Sequence, residues 1–167
     1  LQAKIQDEPD AKMQLEAKSK KFYGMAADGY AAYLKQYPGS KLVEKMRLRR
    51  ADALYYSGQL LKAAQVYQVL ATDPRTKKFR DAAALDAILT YEKIIDLEVA
   101  KGKLDARANP NAPYTEPEIP DSEKPKGTEK IVVQKDAMPA LLESWMNAVD
   151  FFVDNDLKVK DEPLRHM

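Results

Sequence analysis

Apolar positions recur every three or four residues through most of this chain, which is the spacing of one face of an α-helix. The clearest example lies between Pro38 and Pro74, which are 36 residues apart. Two amphipathic patterns fill this stretch and predict a helix over 41–57 and another over 59–71, with Gly58 at the turn. A pair of helices bracketed by prolines at this distance is close to the period of a helix–turn–helix repeat.

The segments on either side of this unit are also helical in pattern. Residues 10–37 contain no proline and follow Pro9, whose missing amide suits a helix start, so they predict one long helix. Residues 76–101 predict a fourth helix that stops at Gly102, and a fifth is predicted from Asp136, a candidate N-cap. No stretch sustains the two-residue alternation of a half-buried strand. The chain is therefore predicted to be all-α.

The composition changes between the fourth and fifth predicted helices. Residues 103–134 hold five of the ten prolines among Asp, Glu, Lys and Asn, so they predict an extended loop that buries little apolar surface. We expect a single domain over 1–167, with four helices in 10–102, the proline-rich inserted loop, a fifth helix in 135–156 and a charged tail over 157–167. The loop has two interpretations that stay open: a tether or docking segment for a partner, and a passive insertion.

Composition and charge restrict the possible classes of function. Hydrophobic residues make up 45% of the chain and charged residues 32%, with a formal net charge of +1, which excludes a global attraction to nucleic acid or to an acidic membrane. The absence of cysteine excludes disulfides, thiolate nucleophiles and cysteine metal sites. No apolar run approaches the roughly 20 residues that a membrane span needs. Because the chain starts at Leu1 rather than at methionine, we expect it to be part of a larger protein.

Three of the predicted helices share a short motif: an alanine, a small or apolar residue, and an aromatic residue four positions after the first alanine. The copies are Ala26-Ala27…Tyr30, Ala63-Ala64…Tyr67 and Ala148-Val149…Phe152. A small residue lets two helix backbones approach, and an aromatic ring one turn later fills the space beside the contact. The motif therefore predicts repeated, close helix–helix packing.

The unit that ends at Pro74 resembles the tetratricopeptide repeat. The residues that carry the resemblance and that we expect to pack between helices are Ala51, Leu54, Tyr55, Gly58, Ala63, Tyr67 and Pro74 in this copy, Ala26, Tyr30 and Pro38 in the first, and Ala148 and Phe152 in the third. Arg50 departs from the pattern, because the family has an apolar residue there. The resemblance implies a short right-handed superhelical stack of antiparallel helix pairs, in which each repeat contacts its neighbours.

The segment Tyr37-Pro38-Gly39-Ser40 between the repeats is similar to the extracytoplasmic branch of that family. These are bacterial periplasmic or outer-membrane-tethered proteins that help to assemble envelope machinery. The similarity implies a periplasmic or outer-membrane-associated protein, and a cytoplasmic location is the alternative.

Residues suited to catalysis or cofactor binding are scarce. The only histidine is His166, next to the C-terminus, so a zinc site or a histidine-based triad has no support. The six glycines form no phosphate-binding loop. Carboxylate pairs such as Asp121 and Glu123 lie in proline-bearing segments that cannot hold two acids across a cleft. We expect no enzymatic activity, no cofactor and no metal.

Two groups of residues are candidates for binding a partner protein or peptide. The predicted second helix carries a basic group, which is Lys41, Lys45, Arg47, Arg49 and Arg50. Arginine makes bidentate contacts with carboxylates, so Arg47 and Arg50 are predicted to hold an acidic partner segment. The alternative is a solvated helix face balanced by neighbouring acids. Among the nine tyrosines, Tyr30, Tyr33 and Tyr56 are predicted partner anchors, because tyrosine is common at interface hot spots.

The sequence is compatible with three kinds of function. The first is a non-catalytic scaffold that holds a partner protein in a multiprotein assembly, which predicts exposed Tyr and Arg residues converging in one groove. The second is a structural solenoid segment that self-associates or stacks within a larger machine, which predicts apolar surface at the ends of the stack. The third is a non-catalytic domain of a larger enzyme, which predicts a small-molecule pocket. We expect no nucleic-acid partner and no membrane insertion by this segment.

Overall fold

A computed structural model of the chain describes residues 3–111 and 139–158. These residues form five α-helices and one short 3-10 helix, which confirms the all-α class. The helices are α1 (Ala3–Gln36), α2 (Val43–Tyr56), α3 (Leu60–Thr72), α4 (Arg80–Ala100), a 3-10 turn (Ala106–Ala108) and α5 (Ala140–Asp154). Most of the predicted inserted loop, the predicted helix start at Asp136 and most of the charged tail lie outside the described residues.

The first helix begins earlier than the sequence predicts. It starts at Ala3 rather than at Pro9 and continues to Gln36, so the prediction that Pro9 opens the helix is wrong. Proline lacks the amide that would donate to the carbonyl four residues earlier, and the helix carries one hydrogen bond fewer at that point. A helix that starts at Pro9 and one that starts at Ala3 both place the proline near the helix N-terminus. The local sequence therefore does not distinguish the two starts.

The fourth helix begins later than predicted, at Arg80 rather than at Thr76. The backbone N–H groups of Lys77, Lys78 and Phe79 all donate to one carboxylate oxygen of Glu44, with N to Oε1 distances of 3.1, 2.7 and 2.9 Å. Glu44 lies on α2, so a distant side chain binds the amides that lead into α4. This long-range cap favours a non-helical backbone just before Arg80.

Consecutive helices pack against each other and run antiparallel. In the pair α2 and α3, Arg47 contacts Asp73 and Asp52 contacts Tyr67, so the numbers fall on one helix as they rise on the other. The same holds for α4 and α5, where Arg80 contacts Asn155 and Tyr91 lies beside Ser144. The main packing contacts among the described helices are between neighbours along the chain: α1 with α2, α2 with α3, α3 with α4, and α4 with α5.

The helices α2 and α4 lie side by side in the same direction. The start of α2 reaches the start of α4 through Glu44, and its end reaches the middle of α4, where Lys93 donates to the hydroxyl of Tyr55 (Nζ to Oη 3.0 Å). Residues about one helix pair apart in sequence are therefore neighbours in space.

The core is rich in alanine, which lets the helices approach closely. Its larger cluster consists of Ala27 of α1, Leu48, Ala51, Ala53 and Leu54 of α2, Ala63, Tyr67, Leu70 and Ala71 of α3, and Ala83, Ala84 and Ala87 of α4. A second cluster joins Ala64 of α3, Ile88 and Tyr91 of α4, and Ala148 of α5. Both clusters bury residues of the alanine–aromatic motif.

The remaining residues that we expected to pack between helices differ in their burial. Tyr30, Tyr55 and Phe152 are half-buried against the clusters, and Ala26 is exposed beside the buried Ala27. Pro38 and Pro74 are exposed in the connections between helices. Gly58 has a φ of +82° in the turn between α2 and α3, a conformation that favours glycine.

A helix that crosses a bilayer must be both long and apolar. No helix in 3–111 or 139–158 is long and apolar enough to do so.

Candidate functional site

Three tyrosines from two helices form a cluster on the side of the molecule where α1, α2 and α4 meet. The ring centroids of Tyr23 and Tyr56 are 5.0 Å apart, and those of Tyr55 and Tyr56 are 5.5 Å apart in an edge-to-face arrangement. Lys93 of α4 lies 4.7 Å from the centroid of the Tyr55 ring. We refer to Tyr23, Tyr55, Tyr56 and Lys93 as the tyrosine cluster.

Buried and half-buried polar groups lie close to the cluster. The hydroxyl of the buried Tyr67 donates to Asp52 (Oη to Oδ1 2.8 Å). Burial raises the pKa of Tyr67 well above its ordinary value, and the carboxylates of Asp52 and Asp86 add to this effect. Burial and the same two carboxylates also raise the pKa of Tyr56. Both phenols therefore stay protonated and act as hydrogen-bonding groups at neutral pH.

The exposed part of the cluster combines aromatic rings with the positive charge of Lys93. Tyr23 remains 40% exposed, and Tyr55 and Tyr56 are half-buried. Rings that pack on one another lose little further freedom when they bind a ligand. Tyrosine supplies apolar contact area together with a hydroxyl for hydrogen bonding. The cluster therefore offers both apolar rings and hydroxyl groups at a partly exposed surface.

The predicted partner-binding residue Arg47 lies at the other end of α2. It donates to Asp73 in the connection after α3 (Nη1 to Oδ2 2.7 Å), and Arg75 donates to the same carboxylate at 2.7 Å. Hydrogen bonds from Arg75, and then from Arg47, hold the pKa of Asp73 well below its ordinary range. Arg47 thus links α2 to the end of α3 and is partly satisfied within the chain.

The other members of the predicted basic group have different surroundings. Lys41, Lys45 and Arg49 are exposed, and Arg49 approaches Asp52 at 3.5 Å. Arg50 is half-buried and forms no ion pair within the described part of the chain. Lys45 and Arg49 therefore lie on a solvated side of α2, Lys41 precedes the helix, and Arg50 is only partly accessible.

The remaining predicted anchors lie apart from the tyrosine cluster. The hydroxyls of Tyr33 and Ser40 are 2.9 Å apart at the connection between α1 and α2, and Tyr33 also packs on Tyr37. Tyr30 is half-buried against the larger core cluster. Among the predicted anchors, only Tyr56 belongs to the tyrosine cluster.

Tyr23 and Lys93 were absent from the sequence-based candidates. Tyr23 lies four residues before the buried Ala27, so the three- and four-residue spacing of α1 places it on the side that meets α2. Lys93 lies one helix pair further along the chain than Tyr56, on α4 rather than α2. The contact between Lys93 and Tyr55 depends on how α4 packs beside α2. The periodicity of a single helix carries no information about that packing.

A metal site would require several acidic or histidine side chains close together. No cluster of three or more acidic or histidine side chains suited to a metal ion occurs in 3–111 or 139–158, and His166 lies outside these ranges. Comparisons with protein-family models, with curated proteins and with solved structures found no significant match.

Proposed function

We propose that this chain is a non-catalytic scaffold that binds another protein within a multiprotein assembly. The observation that carries the proposal is the tyrosine cluster, in which side chains of three helices form one partly exposed surface. Tyrosine is among the residues that dominate the binding energy of protein interfaces, and here its rings are held in place before any ligand arrives.

The proposed architecture is a tetratricopeptide-like solenoid in which α2–α3 and α4–α5 are successive repeats and α1 is the second helix of an earlier one. The antiparallel packing of consecutive helices and the parallel neighbours α2 and α4 support this assignment. In such a stack the first helices of the repeats share one face. The tyrosine cluster, with residues from α2 and α4, would lie on that face.

The chemistry of the surface indicates the type of partner segment. The cluster joins the rings of Tyr23, Tyr55 and Tyr56 to the ammonium group of Lys93, so it suits a segment that carries an acidic or amide group beside an apolar one. Arg50 supplies a separate contact for a carboxylate of the same partner, and Arg47, Tyr30 and Tyr33 remain predicted contacts along α1 and α2. The inserted loop over 103–134 is proposed as decoration of the stack.

The proposed location is the bacterial cell envelope, in the periplasm or at the outer membrane. The support is the similarity of Tyr37-Pro38-Gly39-Ser40 to connections in extracytoplasmic members of the family. Fractionation of cells of the source organism, with detection by an antibody against this chain, would test it.

Two exposed tyrosines, Tyr23 on α1 and Tyr37 directly after the end of α1, provide a matched pair of variants for testing the binding surface. Tyr23 is 40% exposed and packs on Tyr56, and Tyr37 is 48% exposed and packs on Tyr33. The wild type, Tyr23→Ala and Tyr37→Ala would each be used to capture partners from an envelope extract of the source organism, followed by quantitative mass spectrometry.

We expect a specific partner to be reduced about tenfold by Tyr23→Ala, as for a hot-spot residue, and to be retained by Tyr37→Ala. Tyr23→Phe should restore capture if the ring is the contact. Circular dichroism would establish that the variants are folded. A partner that both alanine variants retain, or that both lose, would contradict binding at the tyrosine cluster.

A second candidate function is a structural segment that self-associates. The observation in its favour is apolar exposure on α5, where Met146 and Val153 are both exposed. Sedimentation equilibrium of the wild type and of Val153→Asp would separate the two functions. Self-association that the aspartate abolishes would favour the structural role.

A further inference from the structure

A second surface, on α1, lies away from the tyrosine cluster. α1 has 34 residues and α2, against which it packs, has 14. Leu15, Phe22 and Met25 are 69%, 67% and 60% exposed. At 3.6 residues per turn, Leu15 and Phe22 lie on one line along the helix with Ala26 and Gly29, and Met25 borders it. We refer to these five residues as the α1 stripe.

The α1 stripe is separate from the part of α1 that contacts α2. That part includes Ala27, which is buried, with Tyr23 and Tyr30 one turn away on either side. It lies about a quarter of a turn around the helix axis from the stripe. α1 therefore has two apolar sides, and among the described helices only α2 makes its main contact with it.

The internal repeat indicates which kind of element fits the exposed side of α1. In α3, the motif Ala63-Ala64…Tyr67 is covered on both sides. Ala63 belongs to the cluster that contains Leu48, Ala51 and Leu54 of the preceding helix, and Ala64 to the cluster that contains Ile88 and Tyr91 of the following helix.

The same motif in α1 is covered on one side only. Ala27 corresponds to Ala64 and is buried in the cluster with the following helix, α2. Ala26 corresponds to Ala63 and is exposed. Within 3–111 and 139–158, the position that an amphipathic helix occupies in front of α3 is thus uncovered in front of α1. Ala26 and Gly29 leave room there for a second helix backbone to approach.

The charges beside the stripe indicate the type of helix. Lys12 and Lys18 flank Leu15 on opposite sides, and Lys20 and Lys21 follow in the same part of α1, where Glu16 is the only acid among residues 11–25. An apolar line bordered by lysines complements a helix that carries an apolar line bordered by carboxylates.

We propose that the α1 stripe docks an amphipathic, acid-bordered helix of another protein. This surface and its occupant are independent of the tyrosine cluster, so the two proposals can fail separately. A second copy of this chain could present α1, whose lysines repel their own equivalents, or α5, and the sedimentation experiment below tests for a second copy. A lipid surface would gain little from Ala26 and Gly29, which have almost no side chain to insert.

The probe for the test derives from the helix that covers the corresponding side of α3. It is a fluorescein-labelled peptide with the sequence of 43–56 in which the four basic residues are replaced by glutamate, namely Lys45, Arg47, Arg49 and Arg50. The unaltered sequence serves as the comparison probe. Fluorescence anisotropy with the full 167-residue chain measures binding at low and at moderate salt concentration.

We expect the acidic probe to bind about tenfold more tightly than the unaltered probe at low salt, and to weaken as salt is added. Phe22→Asp should weaken binding of the acidic probe by about tenfold or more. Met13→Asp is the matched control, since Met13 is 64% exposed but lies on the opposite side of α1, and its effect should stay within about twofold.

Charge reversal tests the borders of the stripe. The double variant Lys12→Glu with Lys18→Glu should bind the unaltered probe more tightly than the acidic probe. Lys20 lies away from the stripe, so Lys20→Glu should still bind the acidic probe more tightly. Circular dichroism would confirm that each variant keeps its helix content.

Three results would overturn the proposal. The first is binding of the acidic probe that is absent or insensitive to Phe22→Asp. The second is self-association of the wild type, by sedimentation equilibrium, that Phe22→Asp abolishes, which would make a second copy the occupant. The third is flotation with phosphatidylglycerol vesicles that Phe22→Asp abolishes, which would make the stripe a lipid-binding surface.

Discussion

The carboxylate of Glu44 binds three successive backbone amides of another segment. Glu44→Ala removes this acceptor and leaves three N–H groups before α4 to water. We expect a loss of about 1.5–3 kcal/mol in the free energy of unfolding, the range for hydrogen bonds to a charged group. Glu44→Gln keeps one carbonyl acceptor and should lose less.

Urea unfolding followed by circular dichroism would measure these changes. Glu16→Ala is the control, since Glu16 is exposed on α1, and should change stability by less than about 0.5 kcal/mol. Equal effects of Glu44→Ala and Glu16→Ala would show that the cap contributes nothing.

Asp73 makes the stability of the fold dependent on pH in the acid range. Hydrogen bonds from Arg75 and Arg47 hold its pKa below the ordinary aspartate value, which is about 4 in the unfolded chain. The unfolded state therefore binds the proton more tightly. The stability that Asp73 contributes is complete above about pH 4 and is lost as the pH falls below it.

Urea midpoints measured from about pH 6 down to about pH 2 would show this dependence. Asp73→Asn should be less stable near neutral pH and should decline less steeply in acid than the wild type. Asp96→Asn, at an exposed aspartate of α4, should keep the wild-type slope. Parallel acid profiles for the wild type and Asp73→Asn would contradict the assignment.

At the scale of elements, the turn between α2 and α3 depends on one glycine. Gly58 has a φ of +82°, and an added Cβ would meet no atom within 4 Å. Gly58→Ala should therefore cost only backbone strain, about 1–2 kcal/mol. Gly39→Ala has similar open space without a positive φ and should change little. Thermal unfolding of both variants would measure the difference, and equal midpoints would refute it.

The elements themselves were largely predictable, because helix periodicity is a local property. The spacing of apolar residues predicted α2 and α3 to within a few residues, and Gly58 marked the turn between them. The start of α4 was not predictable from its own sequence, since it depends on Glu44, more than 30 residues earlier. Likewise, Tyr56 was a candidate from its residue type, while Tyr23 and Lys93 join it only through the packing of α1 and α4.

At the scale of the molecule, stability should vary along the chain. α4 packs on α3 and α5 and receives side chains from α2, whereas residues 11–22 of α1 are exposed on all sides. Segments with little buried surface open at a low free-energy cost.

Hydrogen exchange followed by mass spectrometry would measure this gradient. Amides of 84–95 should exchange most slowly and those of 11–22 most rapidly, with α5 between them. Protection of 11–22 equal to that of 84–95 at low protein concentration would contradict the description of α1 as uncovered.

The long-range cap has a consequence for how this fold tolerates insertions and deletions. Exposed connections usually accept changes of length, but the connection from Asp73 to Arg80 is bound at both ends to α2. Arg47 holds Asp73, and Glu44, one turn earlier on the same helix, holds the amides of Lys77 to Phe79. Insertion of one residue between Asp73 and Lys77 would break either the ion pair of Asp73 with Arg47 or the hydrogen bonds to Glu44. Homologues that keep both anchors should therefore differ in the sequence of this connection while conserving its length.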